Sequence, residues 1–236
     1  MQFRVQWRAM SAPPLLLGHR GARVCRCAPE NTFTSFDLAL KQGCDGFEFD
    51  VRGAADRSLV VCHDPKVGRV TISRATRRQL PSLPCLEDVL AGYGGRVFLD
   101  IELKVKGLES AVLAALRKQP PERGYVVSSF LPPVLLELKA RSARVPLGII
   151  CEKKSQLRKW SELPIDCVMA HKSLVDQKLV DEVHAAGKKL FVWTVNDTKS
   201  MRRFADWGAD AIIADDPGLL VSTLRPAMRG QSSASD

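Results

Sequence analysis

Short runs rich in β-branched and aliphatic residues alternate along the chain with longer stretches whose apolar positions recur every three or four residues. The short runs, at 15–18, 46–51, 59–62, 97–103, 125–128, 147–150, 167–170, 190–195 and 211–214, read as strands. The stretches at 32–42, 108–118, 133–141, 156–162, 176–186 and 198–207 read as helices. In the first of these, Phe33, Phe36 and Leu40 share one face and Gly43 ends the pattern; Gly187 and Gly208 stop later ones in the same way. Repeated strand–helix units predict a parallel sheet covered by helices.

Nine strand candidates are one too many for a closed eight-stranded barrel. Only the eight residues from Val51 to Ser58 separate Asp50 from Leu59, whereas a parallel crossover needs about a dozen or more. Gly53 and residues 56–58 have turn chemistry. The spacing therefore predicts an antiparallel hairpin over 51–63, which rises from the end of strand two and returns His63 to the level of Asp50. The expected fold is α/β, a (β/α)8 TIM barrel with a β-hairpin insertion after strand 2. The expected organisation is an N-terminal extension at 1–14, a barrel domain at 15–224 and a disordered polar tail at 225–236.

Composition narrows this picture. At 236 residues, with 45% hydrophobic and 26% charged positions, the chain suits one globular domain. No apolar run reaches the ~18 residues of a membrane span. The apolar residues 15–17 are too few for a signal-peptide core, so a cytoplasmic location is expected. The seven cysteines are odd in number and several lie in apolar runs. They are expected as free buried thiols in a reducing compartment, not as a disulfide framework. Cys25 and Cys27 form a C-x-C pair, but no second Cys/His pair stands at zinc-site spacing.

The net charge of +9 raises nucleic acid as a partner. No basic block with interleaved aromatics supports it, so none is expected. The scattered basic residues suit a solvated surface, attraction of anionic small-molecule substrates, or weak association with an anionic membrane.

Polar residues gather at the ends of the predicted strands. Strand one ends in Gly18-His19-Arg20-Gly21, strand two in Glu48-Phe49-Asp50, the hairpin in His63-Asp64 and the next strand in Glu102-Leu103-Lys104. Later strands end near Ser129-Phe130, His171, Trp193-Thr194 and Asp215. This is the rim where barrel active sites are built. Residues two apart on a strand share a face, so Glu48 and Asp50 point together, as do Glu102 and Lys104. Inward carboxylates are costly unless paired or bound to metal. Glu48, Asp50 and Glu102 make an oxygen-rich site for a hard divalent cation, Mg2+ or Ca2+, where zinc would more often recruit His or Cys. The competing reading is that they pair only with Arg20, Lys104 or Arg52.

His19, His63 and His171 all fall at strand ends, while His184 lies in a polar helix and reads as a surface residue. Two histidines beside a carboxylate triad and two cations are what hydrolysis of a phosphodiester needs. The metal and cations balance the phosphoryl charge, one histidine assists attack and another protonates the leaving alkoxide.

The motifs resemble those of glycerophosphodiester phosphodiesterases. Gly18-His19-Arg20-Gly21 followed by Pro29-Glu30-Asn31-Thr32 is similar to that family's H-R-G…P-E-N-T signature. Glu48-x-Asp50, Val60-Val61-x-His63-Asp64 and Glu102-Leu103-Lys104 match its E-x-D, V-V-x-H-D and E-x-K elements. Val127-x-Ser129-Phe130, 192–196 and 208–215 resemble its later segments, so the resemblance spans roughly 15–222. It implies a metal-dependent hydrolase that splits glycerophosphodiesters into glycerol 3-phosphate and an alcohol. Carried over by position, His19 and His63 form the acid–base pair, and Glu48, Asp50 and Glu102 hold the metal. Arg20 and Lys104 bind phosphate, Trp193 lines the glycerol or head-group pocket, and His171 is expected to hydrogen-bond substrate. Glu30 and Asn31 are expected to brace the first loop.

Two departures bear on substrate identity. The loop at 22–28 is longer and more basic than the pattern, and the segment at 65–84 after His63-Asp64 is short. Small glycerophosphodiesters are the leading substrates. The alternatives are lysophospholipase D activity through a more open mouth, or a non-catalytic barrel that binds phosphate esters, against which the intact set of histidines and carboxylates argues.

Overall fold

The computed structural model describes residues 13–225. Most of the predicted N-terminal extension and the tail beyond residue 225 lie outside the described residues. The elements run β1 (Leu15–His19), α1 (Phe33–Lys41), β2 (Gly46–Gly53), β3 (Leu59–Val61), β4 (Lys66–Val67), β5 (Val70–Thr71), α2 (Leu86–Tyr93), β6 (Phe98–Leu103), α3 (Glu109–Lys118) and β7 (Tyr125–Ser129). They continue through α4 (Pro132–Arg141), β8 (Leu147–Cys151), α5 (Lys154–Leu157), β9 (Cys167–His171), α6 (Gln177–Ala185), β10 (Lys189–Trp193), α7 (Thr198–Asp206), β11 (Ala211–Ala214) and α8 (Pro217–Leu224).

Eight strands pair in parallel in the order β1-β2-β6-β7-β8-β9-β10-β11, and β11 pairs back onto β1, closing the barrel. β3 is the exception: it runs antiparallel to the end of β2, with Val51 opposite Val61 and Gly53 opposite Leu59. The backbone N–H of Cys62 then donates to Asp50 O at 2.9 Å, which seats His63 beside the end of β2. Ala54, Val60, Ile72, Ala75 and Leu80 form a small separate core that supports this hairpin.

Side-chain alternation sorts each strand into two environments. Phe47, Phe49, Leu99 and Ile101 face outward into the main core between sheet and helices. Leu17, Phe98, Val126, Met169 and Phe191 face inward and plug the lower barrel. The intervening inward positions of β2 and β6 are Glu48, Asp50, Asp100 and Glu102, which stand above that plug. At the opposite end, Asp45, Asp166 and Asp210 each precede a strand and accept from the backbone N–H of Leu16, Leu147 and Leu190 at 2.8, 2.9 and 2.9 Å. These carboxylates tie neighbouring staves together where the ladder begins. Arg225 binds Asp45 at 2.6 Å, which ties the residue after α8 to the start of β2.

Several expectations are corrected. The stretch at 156–162 is not one helix but the end of the short α5 followed by a single 3-10 turn, Trp160–Glu162. Helices α2 and α8 have no counterpart in the expected set; Gly92 and the Pro217-Gly218 start mask their periodicity. Cys25 and Cys27 are not free thiols but a disulfide, whereas Cys44, Cys62, Cys85, Cys151 and Cys167 are free. His184 is not on the open surface: its ring is half-buried with Nε2 2.8 Å from Asp210 Oδ2.

Candidate active site

The first βα loop has an unusual backbone that aims donors inward. Arg20 and Asn31 both adopt left-handed conformations, with φ of 53° and 60°, which costs non-glycine residues free energy and marks functional segments. The reward is contact: Arg20 N–H donates to Glu48 Oε2 at 2.9 Å, and Asn31 N–H donates to Arg20 O at 3.0 Å. Between them Gly21 has φ +84°, and any side chain there would run into Ser35. Asn31 Nδ2 donates to Asp50 Oδ2 at 2.7 Å. Glu30 takes Arg20 Nη1 at 2.8 Å and Arg23 Nε at 2.7 Å. These two residues brace the loop, as expected, and Asn31 also holds a carboxylate of the site.

Glu48, Asp50 and Glu102 converge: one oxygen of each lies within 4.8 Å of the others, and all three are buried. Their register explains this, because Asp50 stands directly opposite Glu102 on the neighbouring strand. Lys104 Nζ lies 3.2 Å from Asp50 Oδ1 and 2.6 Å from Glu102 Oε1, and Arg20 Nε lies 3.2 Å from Asp50 Oδ2. Two cations cannot neutralise the set. Burial and the Asp50 charge hold the Glu48 carboxyl well above the ordinary range, and the same causes push Glu102 up to about 7. Burial also opposes the Asp50 charge, but Lys104, Arg20 and the Asn31 hydrogen bond outweigh it and keep this carboxyl low.

Glu48 Oε1 has no partner, while Asp50 Oδ1 and Glu102 Oε1 meet only the Lys104 ammonium. A buried oxygen left without a partner, as Glu48 Oε1 is, costs on the order of 1–3 kcal/mol. A hard divalent cation with oxygen ligands fits the three oxygens.

His19, at the end of β1, places Nδ1 2.6 Å from Asp215 Oδ1. An ionised carboxylate only accepts, so Nδ1 carries the proton and Nε2 is left for chemistry, 3.9 Å from Glu48 Oε2. Asp215 is itself held by Asn196 Nδ2 at 2.6 Å and Arg23 Nη1 at 3.4 Å. Burial works against its charge, but the His19 hydrogen bond and charge, Asn196 and Arg23 prevail and bring it to about 2. His63 places Nδ1 2.8 Å from Asp64 Oδ1, and Arg52 Nε donates to His63 O at 2.8 Å. Burial lowers the His63 pKa below the usual imidazole value, only partly offset by Asp64 and Asp50.

One cavity of about 310 Å³ collects these groups. His19, Arg20, Glu48, His63, Glu102 and Lys104 line its polar side, and Phe130, Ile150, Met169, Trp193 and Ile213 its apolar side. Trp193 is steadied by Nε1 donating to Met169 O at 3.1 Å. His171 is not among the lining residues; it stands edge-on to Trp193 at 5.4 Å and bonds Ser173 Oγ at 2.7 Å. Sequence reasoning missed two acids. Asp100 lies on the cavity floor, raised by burial to about 8 despite Ser128 Oγ donating at 2.6 Å; its place two residues before Glu102 on one strand face was the available signal. Asp215 carried no role because nothing local connects it to His19.

A (β/α)8 barrel with two histidines, a buried carboxylate triad and two cations at its C-terminal rim is a hydrolase-type barrel. The sequence matches the Glycerophosphoryl diester phosphodiesterase family over residues 19–92 and 88–219, and the chain belongs to that family. It is 29% identical over 240 residues to a glycerophosphodiester phosphodiesterase of Caldanaerobacter subterraneus subsp. tengcongensis, covering 89% of this chain and 98% of the relative. A phosphodiesterase from Oleispira antarctica, solved in complex with the product sn-glycerol-3-phosphate, superposes with a TM-score of 0.79 at 26% identity, covering 89% of this chain and 96% of that one. A glycerophosphodiester phosphodiesterase from Agrobacterium tumefaciens str. C58 superposes with a TM-score of 0.78 at 25% identity over 89% and 98% of the two chains. Among the described residues no helix is long and apolar enough to cross a membrane.

Proposed function

We propose that the protein hydrolyses glycerophosphodiesters to glycerol 3-phosphate and an alcohol, with one divalent cation, Mg2+ or Ca2+, held by Glu48, Asp50 and Glu102. The observation that carries this reading is the convergence of three buried, under-bonded carboxylates with Lys104, Arg20 and the Asp215-bound His19 around one cavity. The product complex of the Oleispira relative supports it.

Arg20 and Lys104 hold the phosphoryl anion against the carboxylate-lined wall, and burial keeps their charges effective. When bound, the cation supplies Lewis-acid stabilisation of charge on the phosphoryl oxygens. His19 Nε2 takes the proton of the attacking oxygen, because Asp215 fixes the opposite nitrogen as a donor and stabilises the imidazolium. His63 delivers a proton to the departing alkoxide as the ester P–O bond breaks. Its lowered pKa makes its protonated form a stronger acid, and Arg52 fixes its main chain. Trp193 lines the pocket, and His171 supports that indole from behind.

The test is a product assay on a panel of glycerophosphodiesters after exhaustive chelation. Release of glycerol 3-phosphate should stop and return with Mg2+ or Ca2+. Full turnover by a chelated Glu48→Gln protein would remove the metal reading. Five free cysteines favour a cytoplasmic location and the Cys25–Cys27 disulfide speaks against it; fractionation of cells decides. Weak association with anionic membranes draws on the +9 charge; co-sedimentation with phosphatidylserine vesicles should fall as salt rises.

A further inference from the structure

The loop from β1 to α1 carries a second device besides its inward donors. Ala22 and Ala28 anchor its ends: both are buried, and Ala22 N–H donates to Ser35 Oγ at 2.8 Å. Between them the chain lifts into solvent, where Val24 and Cys27 are exposed. Two contacts tie this raised segment to the site. Val24 N–H donates to Asp215 O at 3.0 Å. The Arg23 guanidinium donates through Nε to Glu30 Oε2 at 2.7 Å and through Nη1 to Asp215 Oδ1 at 3.4 Å. Glu30 in turn holds Arg20, and Asp215 holds His19. One exposed side chain thus spans the partners of the phosphate-binding arginine and of the base. The Cys25–Cys27 disulfide cross-links the same segment, and its first cysteine stands two residues beyond Arg23.

The other five of the seven cysteines are free, so a thiol reductant has this single bond to act on. Exposed bridges are the ones that exchange, and neighbouring cations favour the thiolate. Cys27 is exposed, and Arg26 stands between the two cysteines. We propose that the Cys25–Cys27 bridge is a redox switch on the reaction. Oxidised, it keeps Arg23 seated on Glu30 and Asp215; reduction by a dithiol frees the segment and lowers turnover. The inference rests on the reading of His19 and Arg20 as site residues. In the exchange, a thiolate of the dithiol attacks Cys27 Sγ, the Cys25–Cys27 S–S bond breaks and Cys25 departs as a thiolate. The second thiolate of the reductant then displaces Cys27 from the mixed disulfide and closes the reductant's own disulfide. Two electrons pass to the protein, and the two protons of the dithiol end on Cys25 and Cys27. Loss of the cross-link returns conformational freedom to a segment that few other contacts hold down.

The test measures hydrolysis of a glycerophosphodiester by the metal-loaded protein before and after dithiothreitol, with the bridge followed by the mass of the alkylated chain. Reduction should lower kcat about fivefold, the effect of an ion pair at the upper end of the exposed range. Cys25→Ser/Cys27→Ser should stay at the reduced level in either condition. Arg23→Ala separates the seating of Arg23 from a general loosening of the loop. It should be as slow as the reduced native protein and should no longer respond to the reductant. Equal turnover by the oxidised and reduced native protein, or an Arg23→Ala protein that still responds, overturns the switch. Hydrogen exchange at the Val24 amide needs no turnover. Faster exchange on reduction upholds the release of the segment even if no diester is hydrolysed, in which case the proposed reaction alone fails. Hydrolysis at equal rates in both states with unchanged Val24 exchange leaves the reaction standing and removes the switch.

Discussion

Asp215 Oδ1 lies 2.6 Å from His19 Nδ1, although 196 positions separate the two residues in the chain. Closure of β11 onto β1 makes them neighbours, with Gly18 opposite Ala214 in the register. Asp215→Asn keeps the shape but replaces an obligate acceptor with a group that can also donate, so the imidazole can turn its proton toward the cavity. We expect kcat to fall by ~10²–10³-fold while divalent-ion affinity, measured calorimetrically, changes little. A fall of less than threefold would show that Asp215 does not set the state of His19.

The two histidines should separate by leaving group. His19→Ala and His63→Ala should each lower kcat on a natural diester by roughly 10²–10⁴-fold. A nitrophenyl ester of glycerol phosphate departs without needing a proton. His63→Ala should therefore recover most of its turnover on that ester and His19→Ala should not. Rescue of the wrong variant reverses the assignment, and near-normal activity of both on the natural diester removes it.

Protons and the cation compete for the same oxygens. Glu102 stands near 7 and Glu48 well above its ordinary value in the metal-free protein, so ion binding must release protons and tighten as pH rises from 5.5 to 8. Titrations in buffers of different ionisation enthalpy should show proton release at pH 6.5. Affinity that is flat across this range would be incompatible with the carboxylate set.

The same shifts have a stability consequence of definite sign. Unfolded carboxyls titrate near ~4, whereas Glu102 and Asp100 reach about 7 and about 8 in the folded chain. Between those limits the native state binds more protons than the unfolded state, so stability declines as pH rises. The chelated protein should show a falling Tm from pH 5 to 8, and a saturating divalent ion should reverse the trend. Glu48→Gln removes one of the crowded charges and should raise the Tm of the chelated protein at pH 8. An unchanged or lower Tm there would mean that Glu48 is not under electrostatic strain.

The chain alone determined the barrel, the antiparallel hairpin and most of the residues that the fold brings to the cavity. Helical and strand periods differ enough to separate the elements, and the short Asp50–Leu59 connection excludes a parallel crossover whatever the rest of the molecule does. Two-residue alternation likewise puts Glu48 with Asp50 and Glu102 with Lys104 without any knowledge of the neighbours. What alternation cannot supply is which strands touch. The pairing of Asp215 with His19 follows from ring closure, and the Phe130–Trp193 contact joins residues from staves far apart in the chain. The shifts of Glu48, Asp100 and Glu102 are collective as well: each depends on burial and on charges from other strands. Local pattern records how a segment will fold, but charge, proximity and desolvation act through space, and only the closed barrel sets those distances.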